Sequence, residues 1–86
     1  MALNNKQRRT LEAIFDRPTR ANIGWAEIEK LFIALGAQVI EGKGSSIKVR
    51  LDGELAYFHR PHPHKEAKRY QVEDARRFLS MLEYEP

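Results

Sequence analysis

His59, His62 and His64 lie within six residues of one another. An unperturbed histidine has a pKa of about 6.5, so it can accept or donate a proton at neutral pH. Cleaving RNA without a metal requires a base for the 2′-hydroxyl proton, an acid for the leaving oxygen and cations around the phosphate. The histidines suit the two proton transfers of such a reaction. The alternative is that they are surface histidines without a role.

A metal site is a second use for clustered histidines. Zinc needs three or four ligands that converge on one point. Arg60 and His62 each precede a proline, which keeps this stretch extended and spreads its side chains apart. The chain also has no cysteine to supply a thiolate. We therefore expect neither a metal nor a cofactor.

The histidines follow a stretch that predicts a β-hairpin. Two strand-like runs, 47–51 and 54–59, flank Asp52 and Gly53, which tolerate the positive φ of a two-residue type I′ turn. With those two residues as the loop, position 46 pairs with position 59, and side chains alternate between the two faces. The predicted buried face carries Ile47, Val49, Leu51, Ala56 and Phe58. The predicted opposite face carries Ser46, Lys48, Arg50, Leu55, Tyr57 and His59.

The positive charge of the chain is localised. The 86 residues carry a net charge of +3. Residues 1–25 and 41–70 each carry three net positive charges, whereas 26–40 and 71–86 sum to minus one and minus two. A basic hairpin and a basic N-terminus favour a polyanion such as RNA as the partner. The alternative is that these cations are ordinary solvated surface.

Helical periodicity on both sides of the hairpin completes the fold. The predicted helices run from Asn4 or Asn5 to Asp16 or Arg17, from Gly24 or Trp25 to a stop at Gly36 just beyond the helix, and from Tyr70 or Gln71 onward. A first strand is predicted over 37–41. The order is α-α-β-β-β-α, an α+β fold in which both later helices pack on one face of a three-stranded antiparallel sheet. This architecture resembles the double-stranded-RNA-binding fold with an extra N-terminal helix.

We expect one domain over 1–86. Within it, 1–23 form the N-terminal helix and connector, and 24–82 form the core. No apolar run approaches the ~20 residues of a membrane span, and the first residues lack a signal-peptide core. The expected location is the cytoplasm.

Several motifs in this order resemble the HicA toxins of bacterial type II toxin–antitoxin pairs. They are the 44–46 Gly-Ser-Ser turn before a strand, the Asp-Gly turn at 52–53, the histidine and proline stretch 59–66, and a closing helix. The resemblance covers roughly 24–82. It implies a double-stranded-RNA-binding-like fold, cleavage of mRNA without metal, and neutralisation by a HicB-like antitoxin protein.

The sequence departs from the family pattern at one position. The family's catalytic histidine follows the Gly-Ser pair, and Ser46 stands there instead. A serine hydroxyl cannot act as a neutral-pH base unaided. His59 is predicted to lie directly across from Ser46, so it can supply the imidazole from the neighbouring strand. His62 matches the family's histidine in the proline-rich stretch, where a catalytic, structural or substrate-contacting role fits.

The sequence thus predicts an endoribonuclease toxin with mRNA and a HicB-like antitoxin as partners, no membrane contact, and no direct DNA contact by the toxin alone. The predicted catalytic residues are His59 and His62. The predicted RNA-binding residues are Lys43, Ser46, Lys48, Arg50, Tyr57 and Arg60. The alternatives are a catalytically silent RNA-binding module and an interaction domain for an acidic protein partner.

Overall fold

The computed structural model describes residues 3–86, which form three helices and three strands. The elements are α1 (Asn5–Ile14), α2 (Trp25–Ala34), β1 (Gln38–Glu41), β2 (Ser46–Leu51), β3 (Glu54–His59) and α3 (Arg69–Met81). This order confirms the predicted α+β fold. Among the described residues, no helix is long and apolar enough to cross a membrane.

The three strands form an antiparallel sheet in the order β1-β2-β3. Asp52 and Gly53 have φ values of 52° and 82°, as a type I′ turn requires. Ser46 therefore pairs with His59, and Leu51 pairs with Glu54. The predicted register of the hairpin is confirmed at every pair.

One face of the sheet packs against α2 and α3, and an aromatic cluster joins the layers. The ring of Phe58 lies 5.3 Å from that of Trp25 and 5.7 Å from that of Phe32, measured between centroids. Phe32 in turn meets Phe78 of α3 edge-on at 6.1 Å. Ile47, Val49, Leu51 and Phe58 from the predicted buried face are buried, and Ala56 is partly buried against the same core.

α1 packs on α2 and α3, and both of its ends are satisfied by side chains. At its start, Asn4 and Gln7 form a reciprocal capping box. At its end, the buried guanidinium of Arg76 donates to the carbonyls of Ile14 at 2.8 Å and Asp16 at 3.1 Å. The helix ends at Ile14, two or three residues earlier than predicted, and the carbonyl of this last residue accepts a hydrogen bond from a side chain of α3.

The starts of β1 and α3 also differ by one or two residues from the prediction. β1 begins at Gln38 rather than at position 37, and α3 begins at Arg69 rather than at position 70 or 71. At the start of α3, the side-chain oxygen of Gln71 accepts the backbone N–H of Lys68 at 2.9 Å. This hydrogen bond stabilises a first helical turn that begins one residue before the start indicated by the apolar periodicity.

Candidate nucleic-acid interface

The cations and the carboxylates of the strands lie on opposite faces of the sheet. The face that points away from the helices is here called the open face. The strand register places Gln38, Ile40, Ser46, Lys48, Arg50, Leu55, Tyr57 and His59 on it. Lys48 and Arg50, the two strand cations, are exposed there. The two strand carboxylates, Glu41 and Glu54, pair with Ile47 and Leu51 and so lie on the helix side. The open face is therefore positively charged and carries no carboxylate from the strands.

The hydrogen-bonding pattern brings the side chains of the open face together. The backbone N–H of Arg60 donates to the carbonyl of Ser45 at 2.8 Å, which makes these two residues a hydrogen-bonded pair. Because the two kinds of pair alternate along an antiparallel ladder, Ser46 and His59 form a non-hydrogen-bonded pair. Side chains are closest in such pairs, with Cβ atoms about 4.5–5.5 Å apart.

The next non-hydrogen-bonded pair on this face is Lys48 with Tyr57. The Nζ atom of Lys48 lies 5.9 Å from the centre of the Tyr57 ring, within the range of a cation–π contact. The Tyr57 side chain is nevertheless 67% exposed. A flat, accessible ring beside a cation is suited to stacking an unpaired base.

The turn between β1 and β2 fixes the position of Ser46. Its hydroxyl donates to the carbonyl of Lys43 at 2.8 Å, and its own carbonyl accepts the N–H of Gly42 at 2.9 Å. A Cβ on Gly42 would stand 2.5 Å from the Ser46 hydroxyl oxygen, so a larger residue at this position would displace that hydroxyl. The exposed Lys43 lies in this turn, at the same end of the hairpin as His59.

Gln71 of α3 holds the backbone of His59 through a hydrogen bond. Its side-chain amide donates to the His59 carbonyl at 2.6 Å, and the residue is only 2% exposed. Gln71 is not among the site residues predicted from the sequence. The signal for it is its place one turn before Ala75, on the apolar stripe of α3.

The structure does not place Arg60 on the open face. Its Nε atom lies 2.7 Å from a carboxylate oxygen of Glu29 in α2, and its Nη1 atom lies 2.7 Å from one of Glu41 in β1. The hydrogen bonds that Arg60 donates to Glu29 and to Glu41 raise the pKa of the guanidinium, and the second of these bonds lowers the pKa of Glu41. The indole N–H of Trp25 donates to the same Glu29 carboxylate at 2.5 Å. Arg60 thus joins the strand end to α2 and β1 on the helix side.

His62 and His64 lie beyond the end of β3 and likewise do not join the open face. They line a separate cavity, together with the start of α3. Within residues 3–86, no three His, Cys, Asp or Glu side chains are grouped so as to hold a metal ion. Of the predicted site residues, the structure brings together Lys43, Ser46, Lys48, Arg50, Tyr57 and His59.

Residues 25–77 match the model of a family described as the HicA toxin of bacterial toxin–antitoxin systems. The match covers more than half of the chain and includes every strand of the sheet. The match begins after α1, which agrees with the prediction that the N-terminal helix is an addition to the family's fold. Searches of curated proteins and of solved structures each found no match.

Proposed function

Since the chain belongs to the HicA family of toxins from bacterial toxin–antitoxin systems, we propose that it is the toxin of such a pair and that it binds and cleaves mRNA on its open face. The observation that carries this proposal is the separation of charge across the sheet, with both strand cations on one side and both strand carboxylates on the other. A surface of this kind attracts a polyanion.

Binding is assigned to the exposed cations and to the tyrosine. Lys43, Lys48 and Arg50 contact phosphates, while the Tyr57 ring stacks on a base. A strand of mRNA offers both groups in the same stretch, because its bases are unpaired. The Ser46 hydroxyl oxygen retains acceptor capacity beside His59 and contacts the ribose or phosphate between them.

The cleavage step is assigned to imidazole chemistry. The neutral imidazole of His59 removes the proton of a ribose 2′-hydroxyl, and the 2′-oxygen forms a bond to the adjacent phosphorus. The bond from phosphorus to the 5′-oxygen breaks, and that oxygen takes a proton from water, since His62, the second predicted catalytic residue, lines the separate cavity. The products are a 2′,3′-cyclic phosphate and a 5′-hydroxyl. Lys48 and Arg50 stabilise the charge on the phosphate during the reaction.

The partner that restrains this activity is proposed to be a HicB-like antitoxin protein in the cytoplasm. An antitoxin that covers the open face must present carboxylates to Lys48 and Arg50, since buried cations need partners. The cytoplasm is where the substrate, mRNA, is found.

Purified protein incubated with single-stranded RNA, with and without EDTA, tests the proposal. We expect cleavage in both conditions, with a cyclic phosphate at the 3′ end of the upstream fragment. His59→Ala is expected to slow cleavage by at least about 100-fold, the lower range for loss of a general base. Adding Ser46→His to His59→Ala should restore part of the rate, because it moves the imidazole across the same close pair. Unchanged cleavage by His59→Ala would contradict the assignment of the base.

One observation favours a second candidate, a catalytically silent RNA-binding module. The Ser46 hydroxyl donates its hydrogen to the Lys43 carbonyl, so it is held by the turn and not by His59. The same experiment separates the two functions. Binding of RNA by the unmodified protein without cleavage, followed by gain of cleavage in Ser46→His, would establish the silent module.

A further inference from the structure

A second basic site lies outside the open face. Between the end of β3 and the start of α3 there is a cavity of about 430 Å³. Four of its lining side chains, His62, His64, Lys68 and Arg69, are cationic or can become so, and one, Glu66, is acidic. The remaining lining residues are Ala21, Pro61 and Ala67.

The cations of this cavity differ from three arginines elsewhere in the molecule. Arg60, Arg77 and Arg20 each form an ion pair with a carboxylate. In the described part of the chain, neither Lys68 nor Arg69 forms one, and the polar contact of Arg69 is a long one of 3.4 Å to the carbonyl of Thr19. Their charges are therefore available to an anion.

The wall of the cavity is fixed by backbone hydrogen bonds. The N–H of Ala67 donates to the carbonyl of Ile23 at 2.8 Å, and the N–H of Trp25 donates to the carbonyl of Lys65 at 2.9 Å. These two bonds pin residues 65–67 to the segment that enters α2, and Ala67 itself is buried. A preformed site binds without the cost of ordering its loop.

We propose that this cavity binds a phosphate group, and that, building on the proposed mRNA cleavage, it holds a phosphate of the same RNA strand that lies on the open face. His59 ends the open face, and His62 lines the cavity only three residues later, so their Cα atoms are at most about 11 Å apart. Lys68 and Arg69 donate to the phosphate oxygens, as does His64 in its protonated form. Phosphate suits this site because its several donors outnumber its one carboxylate, Glu66.

Nuclear magnetic resonance titration of the full chain tests the binding directly. Inorganic phosphate and adenosine 5′-monophosphate are expected to shift the backbone amides of Ala21, Ala67, Lys68 and Arg69, while adenosine, which has no phosphate, is not. Shifts confined to Lys43 and Lys48, or spread evenly over all exposed cations, would overturn the proposal.

A pair of charge variants supplies the matched control. Lys68→Gln combined with Arg69→Gln should raise the Kd for phosphate at least about tenfold, the factor that corresponds to one charged hydrogen bond. Lys65→Gln removes a charge from the same segment but not from the lining of the cavity, so it should change the Kd less than about twofold. Equal weakening by Lys65→Gln would show a diffuse charge effect and would exclude a site.

A fully 2′-O-methylated RNA, which cannot be cleaved by its own 2′-oxygen, separates an RNA phosphate from free phosphate. The double variant should weaken binding of this RNA as well as of inorganic phosphate. Loss of phosphate binding with unchanged RNA affinity would contradict the role in RNA binding. If the unmodified protein does not cleave RNA at all, the proposed reaction fails, whereas the phosphate titration still decides whether the cavity is a phosphate site.

Discussion

Arg50 and Arg60 lie near opposite ends of the same hairpin and on opposite sides of the sheet. Arg50 is exposed on the open face, beside Lys48 and away from the strand carboxylates. Arg60 is held by Glu29 and Glu41 on the helix side. A guanidinium that already donates to two carboxylates has few N–H groups left for a phosphate. Its hydrogen bonds instead stabilise the fold. The partners of a cation, more than its place in a basic segment, therefore decide whether it is available to a phosphate.

Tyr57 and Phe58 are the sharpest test of the two faces, because they are neighbours in β3 with opposite exposure. Phe58→Ala should lower the free energy of unfolding by about 3–5 kcal/mol, since it removes the ring that contacts both Trp25 and Phe32. Tyr57→Ala should change the free energy of unfolding by less than about 1 kcal/mol. It should weaken RNA binding by about 1–3 kcal/mol, the loss of one stacked base.

Urea denaturation and RNA titration of both variants measure these effects. If Tyr57→Ala destabilises the fold as much as Phe58→Ala, the tyrosine belongs to the packed structure. If it leaves RNA affinity unchanged, the open face does not stack a base.

The two arginines give the second test. Arg60→Gln should lower the free energy of unfolding by about 1–3 kcal/mol, since it leaves the Glu29 carboxylate without its cation beside the indole of Trp25. Arg50→Gln should leave stability within about 0.5 kcal/mol of the unmodified protein and should weaken RNA binding. Thermal denaturation of each variant, paired with an RNA titration, makes the measurement. The reverse pattern would mean that Arg60, as the sequence analysis predicted, contacts the RNA.

Salt dependence tests the open face as a phosphate-binding surface. Replacing Lys48 and Arg50 together with glutamine should reduce the slope of log affinity against log salt by about 1.4, since each phosphate contact on a single strand contributes about 0.7. Lys30→Gln with Arg77→Gln is the control, because these cations pair with Glu27 and Asp74 on the helices. Equal slopes in both double variants would contradict phosphate binding by the open face. That result would favour an acidic protein as the partner of this face.

The hairpin could be predicted from the sequence because its information is local. The Asp-Gly turn and the alternation of side chains set the register, and the register alone placed His59 opposite Ser46. The contacts of Arg60 and Arg76 could not be predicted from local sequence patterns. Their partners lie 31 and 62 residues away at Glu29 and Ile14, and no periodicity within one element signals such contacts. The same limit applies to the cavity at the start of α3, which needs residues from two distant segments of the chain.

Glu41 gives the smallest expected effect, through the pH dependence of stability. Arg60 lowers the pKa of Glu41 below its ordinary value of 4.5 by hydrogen bonding. The resulting stabilisation is complete above that value and is lost as the pH falls through the lowered pKa of the folded protein. The difference in unfolding free energy between the unmodified protein and Glu41→Gln should therefore shrink as urea denaturation is repeated from neutral pH down to about pH 3. Glu54→Gln removes a carboxylate on the same side that forms no ion pair within residues 3–86, and it is the matched control. A constant difference for Glu41→Gln would mean that the ion pair between Glu41 and Arg60 does not persist in solution, so that Glu29 alone would hold Arg60.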